Sequence, residues 1–170
     1  TAGLLTIGPR FGGAINTASE GWLMGATTAM TPKQFVDDFT AKGGIIPGIG
    51  HKKYRIDMPD PRVEALMRFG GNTNGDRYLK FARGVEEITT TKKGNLILNI
   101  DGAIGAVMLD ILESELGYTV KQLEDLVDIE FFNAIFVLSR AVGFTSHYLD
   151  QRRHDEGLFR LNPDDVRYMG

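Results

Sequence analysis

The sequence predicts an all-α fold, on three observations. Apolar residues recur three and four positions apart, as they do on one face of a helix. Thr31–Gln34 and Thr119–Gln122 both carry the Thr-x-x-Gln capping box that opens a helix. No stretch alternates polar and apolar residues long enough to make a strand, and only Thr89–Thr91 and Asn95–Ile100 are β-prone.

Taken in order, Thr31 is the first cap, with Pro32 at the first helical position and Gln34 completing the box. Phe35 and Phe39 then share a face, and Gly43-Gly44 stops the helix. Asp60-Pro61 opens a second helix, with Val63, Leu66 and Met67 apolar. A third is expected from about Asp76 to Ile88, with Tyr78, Ala82 and Val85 on one side. The Asp101 segment continues as a helix to Glu115 and stops near Gly117. The Thr119 box leads into Leu123, Leu126 and Val127. Glu130–Glu156 reads as one long helix closed by Gly157, apolar almost all round in its first half, which marks a central helix. Trp22, Tyr148 and most Met and Phe residues read as core or interface, and His147 and His154 as structural or surface residues.

The 170 residues suffice for one ordinary domain or two small lobes. A net charge of −3 gives no bulk attraction to nucleic acid, although Lys52-Lys53-Tyr54-Arg55, Lys92-Lys93 and Arg152-Arg153 could hold phosphates. The absence of cysteine excludes disulfides, thiolate metal sites and a thiol nucleophile, and fits the cytoplasm. The longest apolar run is broken by Asn99, Asp101 and two glycines, so it is a poor membrane span. No secretory signal is visible. The chain opens at Thr1 rather than Met, and is expected to be a piece of a longer polypeptide.

Asp101 is the most informative residue, an acid inside the most apolar stretch of the chain. Burial disfavours its charged form and raises its pKa, which suits proton transfer. The alternative is a structural acid accepting backbone N–H bonds at a helix start. Gly48-Ile49-Gly50-His51 reads either as a flexible loop ending in a surface histidine or, with the basic cluster beside it, as an anion site. Arg62, in the first turn of its helix, is a ligand contact or a solvated arginine. Arg140 interrupts an apolar helix and therefore needs an anion, either a substrate carboxylate or a core acid such as Asp110 or Asp128. The scattered histidines give no metal-ligand spacing, and no metal is expected. A histidine, an acid in apolar surroundings and several arginines suit proton transfer next to a carbonyl on a carboxylate-rich substrate.

These same residues carry a resemblance. Gly3–Ala14, Pro47–His51 with Pro59–Arg62, Ile88–Lys93 through Asp101-Gly102, and Arg140–Phe144 with His147–Gln151 and Gly157–Arg160 resemble, in order, segments of the citrate synthase-like module of ATP-citrate lyases. The resemblance runs from about Gly3 to Tyr168. It implies an all-α fold with residues 1–100 mainly in a small, coenzyme A-binding lobe and 101–170 returning to a large lobe. It also implies cleavage of citryl-CoA to acetyl-CoA and oxaloacetate, a reversed Claisen condensation. Asp101 would be the acid–base residue at the acetyl carbon, and His51 would hydrogen-bond the oxaloacetate portion. Arg62 and Arg140 would clamp carboxylates, and Arg160 would reach the neighbouring subunit's site.

For coenzyme A, the same resemblance implicates Ile46, Gly48, Ile49 and Gly50 along the arm, and Lys52 and Lys93 near the phosphates. Lys52 stands where some relatives carry arginine, which keeps the charge but loses the forked contact. A second catalytic histidine would lie in a Gly-Ala-His-Asn-like segment upstream of Gly3. The expected partners are an ATP-dependent citryl-CoA synthetase module and further copies of the chain, as a homodimer or homotetramer. A stand-alone citryl-CoA lyase, a citrate or 2-methylcitrate synthase, and a fragment that only oligomerises or binds coenzyme A are the alternatives.

Overall fold

The computed structural model describes residues 13–155 and Gly157. Seven helices and no strand occur among the described residues: α1 (Ala14–Thr27), α2 (Pro32–Ala41), α3 (Pro61–Gly70), α4 (Arg77–Lys92), α5 (Ile100–Ser114), α6 (Val120–Asp128) and α7 (Phe131–Arg153). The all-α expectation holds, and both Thr-x-x-Gln boxes form with each partner bonding the other's backbone. Among the described residues no helix is long and apolar enough to cross a membrane.

By packing, the chain divides into residues 1–137 and 138–170. In the first unit α1 lies against α4, α5 and α6, α2 against α4, and α3 against α5. Trp22, Phe35, Tyr78, Leu109, Leu123 and Phe132 are fully buried at its centre. The rings of Trp22, Phe35 and Phe81 meet at tilted and edge-on angles, with centroids 5.4–6.4 Å apart, the arrangement their quadrupoles favour.

α1 is a helix that the local signals of the sequence do not announce. Its cap, Gly13, offers no side-chain bond, and Gly21 and Gly25 interrupt it. Tertiary contact supports it instead: α1 and α5 approach so closely that a Cβ on Gly105 would stand 2.6 Å from the Ser19 hydroxyl. The β-prone Thr89–Thr91 run proves to be helical, which extends α4 beyond the expected Ile88. Their hydroxyls bond back to carbonyls of the preceding turn, Thr89 to Val85 at 3.1 Å and Thr90 to Glu86 at 2.7 Å. Asn95–Ile100 contributes only one antiparallel bridge, between Leu98 and Ile49.

Asp110 bonds backbone in the first unit. Its carboxylate reaches from α5 to the start of α4 and accepts the N–H groups of Tyr78 (2.9 Å) and Leu79 (3.0 Å). It thereby replaces Asp76, the residue at the cap position, which makes no side-chain cap bond. Burial pushes the Asp110 carboxyl up to about 6, against the pull of those two N–H bonds.

Among the described residues the helix expected to be central is largely uncovered. Phe132 is the only buried residue among those described in α7, and in the second unit Leu138, Val142, Phe144, Tyr148 and Leu149 are exposed. His147 and His154 are exposed as well, in line with the surface reading.

Candidate active site

Two backbone segments meet to build the site. The Gly48–His51 loop runs antiparallel to Asn95–Asn99, with Gly50 N–H donating to the Ile97 carbonyl (2.7 Å) and His51 N–H to that of Asn95 (3.0 Å). Asn95 returns a side-chain bond to the His51 carbonyl. The N–H groups of Ile49, Gly50 and His51 are thus spent inside the protein, on the carbonyls of Ile46, Ile97 and Asn95, rather than offered to an anion. The glycines serve close approach instead. Gly48 adopts a positive φ of 81°, and a Cβ on it would stand 2.7 Å from the Gly102 Cα. A Cβ on Gly102 would in turn meet the Gly48 carbonyl oxygen at 2.5 Å. Loop and helix therefore touch backbone to backbone.

Asp101 lies in the first turn of α5 and is partly buried. The capping role that sequence left open for it falls to Asn99, whose side-chain oxygen accepts the N–H groups of Asp101 and Gly102, each at 3.1 Å. Burial raises the Asp101 pKa above the ordinary carboxylate value, and the positive charge of Arg62 pulls it part of the way back. Beneath this turn the buried Trp22 indole donates to the Gly102 carbonyl at 3.0 Å.

His51 is held by its ring nitrogen. Nδ1 accepts the N–H groups of Lys53 (3.0 Å) and Tyr54 (2.9 Å), so the neutral ring carries its proton on Nε2, as a donor. The Tyr54 ring lies 4.8 Å away, centroid to centroid. The loop is thus no flexible tether; local hydrogen bonds fix both the tautomer and the ring.

Arg62 is neither a lone surface arginine nor a free ligand contact. Its Nε and Nη2 bond the two oxygens of Asp60 at 3.0 and 2.6 Å, and Asp60 also accepts the Arg62 N–H. Asp60 is 1% exposed, and this pairing holds its carboxyl below the usual range. The guanidinium itself stays more than half exposed. Its charge acts on Asp60 and Asp101 together, and His51 is close enough to act electrostatically on Asp60, so the four groups form one cluster.

Three cavities are formed by neighbouring stretches of the chain, and only one of them, on Asp60, is lined by a member of the cluster. One of about 300 Å³ is lined by Lys52, Lys53, Arg55 and Lys93 with Gly94 and Asn95, which brings together cations from two of the basic clusters expected to hold phosphates. A second, about 200 Å³, has Ile46, Ile49, Val36 and Leu96 in its wall, with Lys92 also lining it. A third, about 250 Å³, lies behind Asp60 between Val63, Arg83 and Glu86, and is lined by neither His51 nor Asp101. Arg140 belongs to the second unit and is exposed there, contrary to the burial its apolar neighbours suggested. Arg160 lies outside the described residues.

Sequence reasoning missed Asp60, Asn99 and Trp22. Asn99 had a readable signal, since asparagine is among the best helix caps and stands just ahead of the Asp101 run. Asp60 was read only as a helix opener, and nothing local ties Trp22 to Gly102, 80 positions away.

Residues 1–162 match the family described as the citrate synthase C-terminal domain. An ATP-citrate synthase of Mus musculus is 43% identical over 170 residues, covering 99% of this chain and 16% of that protein. The chain spans only 15% to 28% of the length of the curated relatives it matches. Among solved structures, the ATP citrate lyase of Methanothrix soehngenii in complex with citrate and coenzyme A superimposes with a TM-score of 0.84 at 42% identity, covering 99% of this chain and 28% of that one. The citryl-CoA lyase of Hydrogenobacter thermophilus gives 0.71 at 30% identity, covering 99% and 61%.

Proposed function

Because the chain belongs to the citrate synthase family, we propose that it supplies the acid–base half of a site that cleaves citryl-CoA to acetyl-CoA and oxaloacetate. The observation that carries this reading is the Asp101 carboxyl, raised by burial and set in one cluster with Arg62, Asp60 and His51. In cleavage the citryl hydroxyl loses its proton and its oxygen becomes the new ketone. The carbon–carbon bond breaks and its electron pair passes to the acetyl thioester as an enolate. Protonated Asp101 then delivers its proton to the enolate carbon, and a raised pKa keeps that proton in place until it is needed.

His51, with Nδ1 occupied, directs Nε2–H at the oxygen where negative charge develops. Arg62 uses the edge not bound to Asp60 to hold a substrate carboxylate, a role Arg140 would share. The hydroxyl proton requires a further base, the task that the family resemblance gives to a histidine upstream of Gly3. Lys52, Lys53, Arg55 and Lys93 suit the phosphates of coenzyme A, with Ile46 and the Gly48–Gly50 backbone along its arm.

The reading extends to the whole protein as a lyase of the ATP-citrate lyase type. Residues 1–100 would form mainly the small lobe, and 101–170 the returning helices of the large one. An ATP-dependent module would supply citryl-CoA. Further copies of the chain would complete the assembly in the cytoplasm, with Arg160 entering a neighbour's site. The test is Asp101→Asn in the full-length protein. Citryl-CoA turnover should fall by about 10²–10⁴-fold, with coenzyme A affinity and thermal stability kept. Near-normal turnover would remove Asp101 from the mechanism.

A further inference from the structure

Asn99 makes five hydrogen bonds to the loop and the helix that build the site. Its N–H donates to the Gly48 carbonyl at 2.9 Å, and its side-chain Nδ2 donates to the Gly50 carbonyl at 3.1 Å. Its Oδ1 accepts from Asp101 and Gly102, and its own carbonyl accepts the Ala103 N–H at 2.9 Å. One face of the residue therefore grips the loop that ends in His51, and the other caps the helix turn that carries Asp101. Main-chain pairing by Gly50 and His51 with Ile97 and Asn95 sets the strand direction. Among the described residues only the Asn99 side chain, however, bonds both the loop and the turn that carries Asp101 at once.

We propose that Asn99 is a positioning residue, which sets the register between the His51 donor and the Asp101 acid. The claim rests on the reading of this site as a citryl-CoA lyase. Both groups must act on neighbouring carbons of one substrate, and misplacement by about 1 Å is enough to cost on the order of 10²-fold in rate. Asparagine suits the task because its amide offers an acceptor and a donor on one short arm. Aspartate would keep the acceptor for the cap but turn an oxygen toward the Gly50 carbonyl. Serine would cap the helix but has no second arm for Gly50.

The experiment compares wild type, Asn99→Ser and Asn99→Asp in the full-length protein, with two readouts. Amide hydrogen exchange should show at least about tenfold faster exchange at Gly50 and His51 in both variants, with Leu109 in the interior of α5 unchanged. Citryl-CoA kinetics should show kcat falling by about 10- to 100-fold, with KM changed much less. In a His51→Ala background the same Asn99 substitutions should cost little more.

Unchanged exchange at Gly50 and His51 would overturn the coupling. Faster exchange with unchanged kcat, or full additivity with His51→Ala, would reduce Asn99 to a helix cap and overturn its positioning role. Absence of cleavage by the wild type is a separate result: it would sink the lyase reading and the catalytic role with it. Exchange would then still decide whether Asn99 couples the two segments.

Discussion

With Nε and Nη2 of Arg62 committed to Asp60, the edge proposed to hold a substrate carboxylate is the other one, and the charge also reaches Asp101. Asp60, buried and permanently paired, works as a foundation rather than as a reactant. The arrangement fixes the sign of a pH effect. In the proposed mechanism cleavage needs protonated Asp101, so its rate should hold at low pH and decline as pH rises through that group's pKa. Arg62→Gln removes the charge that lowers this pKa. Besides losing substrate affinity, that variant should show the descending limb of kcat against pH displaced to higher pH. A limb that stayed in place would separate Arg62 from Asp101. At this scale the sequence was legible for Asp101 and His51, whose neighbours betray them, but not for what those residues touch. The Asp60 pair joins residues two apart across a helix cap, outside any helical periodicity.

Among the helices, α4 begins on a carboxylate borrowed from α5. Asp110→Ala would leave the Tyr78 and Leu79 N–H groups buried without acceptors, and should destabilise the protein by about 2–4 kcal/mol in chemical denaturation. Asp110 also titrates upward, from an ordinary 3.8 to about 6 in the folded state. The folded protein then binds the proton that the unfolded chain has released. Stability from this group is therefore fully present below about pH 4, is lost as pH climbs to about 6, and levels off above that. Denaturation at several pH values should show this slope in the wild type and a flatter one in Asp110→Ala. The elements that sequence foretold are those with local instructions, such as the Thr31 and Thr119 boxes and the Asp60-Pro61 start. Helix α1 carries no such instruction, and Thr89–Thr91 carries a misleading one, overruled by hydroxyl bonds to the turn below.

At the level of the whole chain, the buried residues end at Phe132, and none described beyond it is buried. Ending the chain after Val137 should therefore leave the remaining unit folded, with a cooperative thermal transition by circular dichroism; loss of that transition would show the later residues to be needed for folding. The apolar residues of the second unit explain why its helix looked like a core element. Hydrophobic composition marks surface that must be covered, but it does not say by which chain. Arg140 is exposed as well, so the apolar residues beside it in sequence did not foretell burial.

Trp22 gives the molecule an optical handle. It is the sole tryptophan of this chain, fully buried, and its indole N–H is bonded to the carbonyl of Gly102, the residue after Asp101. Its emission should be blue-shifted in the folded chain and should respond when the first turn of α5 shifts. Rearrangement at the acid can then be followed by stopped-flow fluorescence, without a label and without waiting for product.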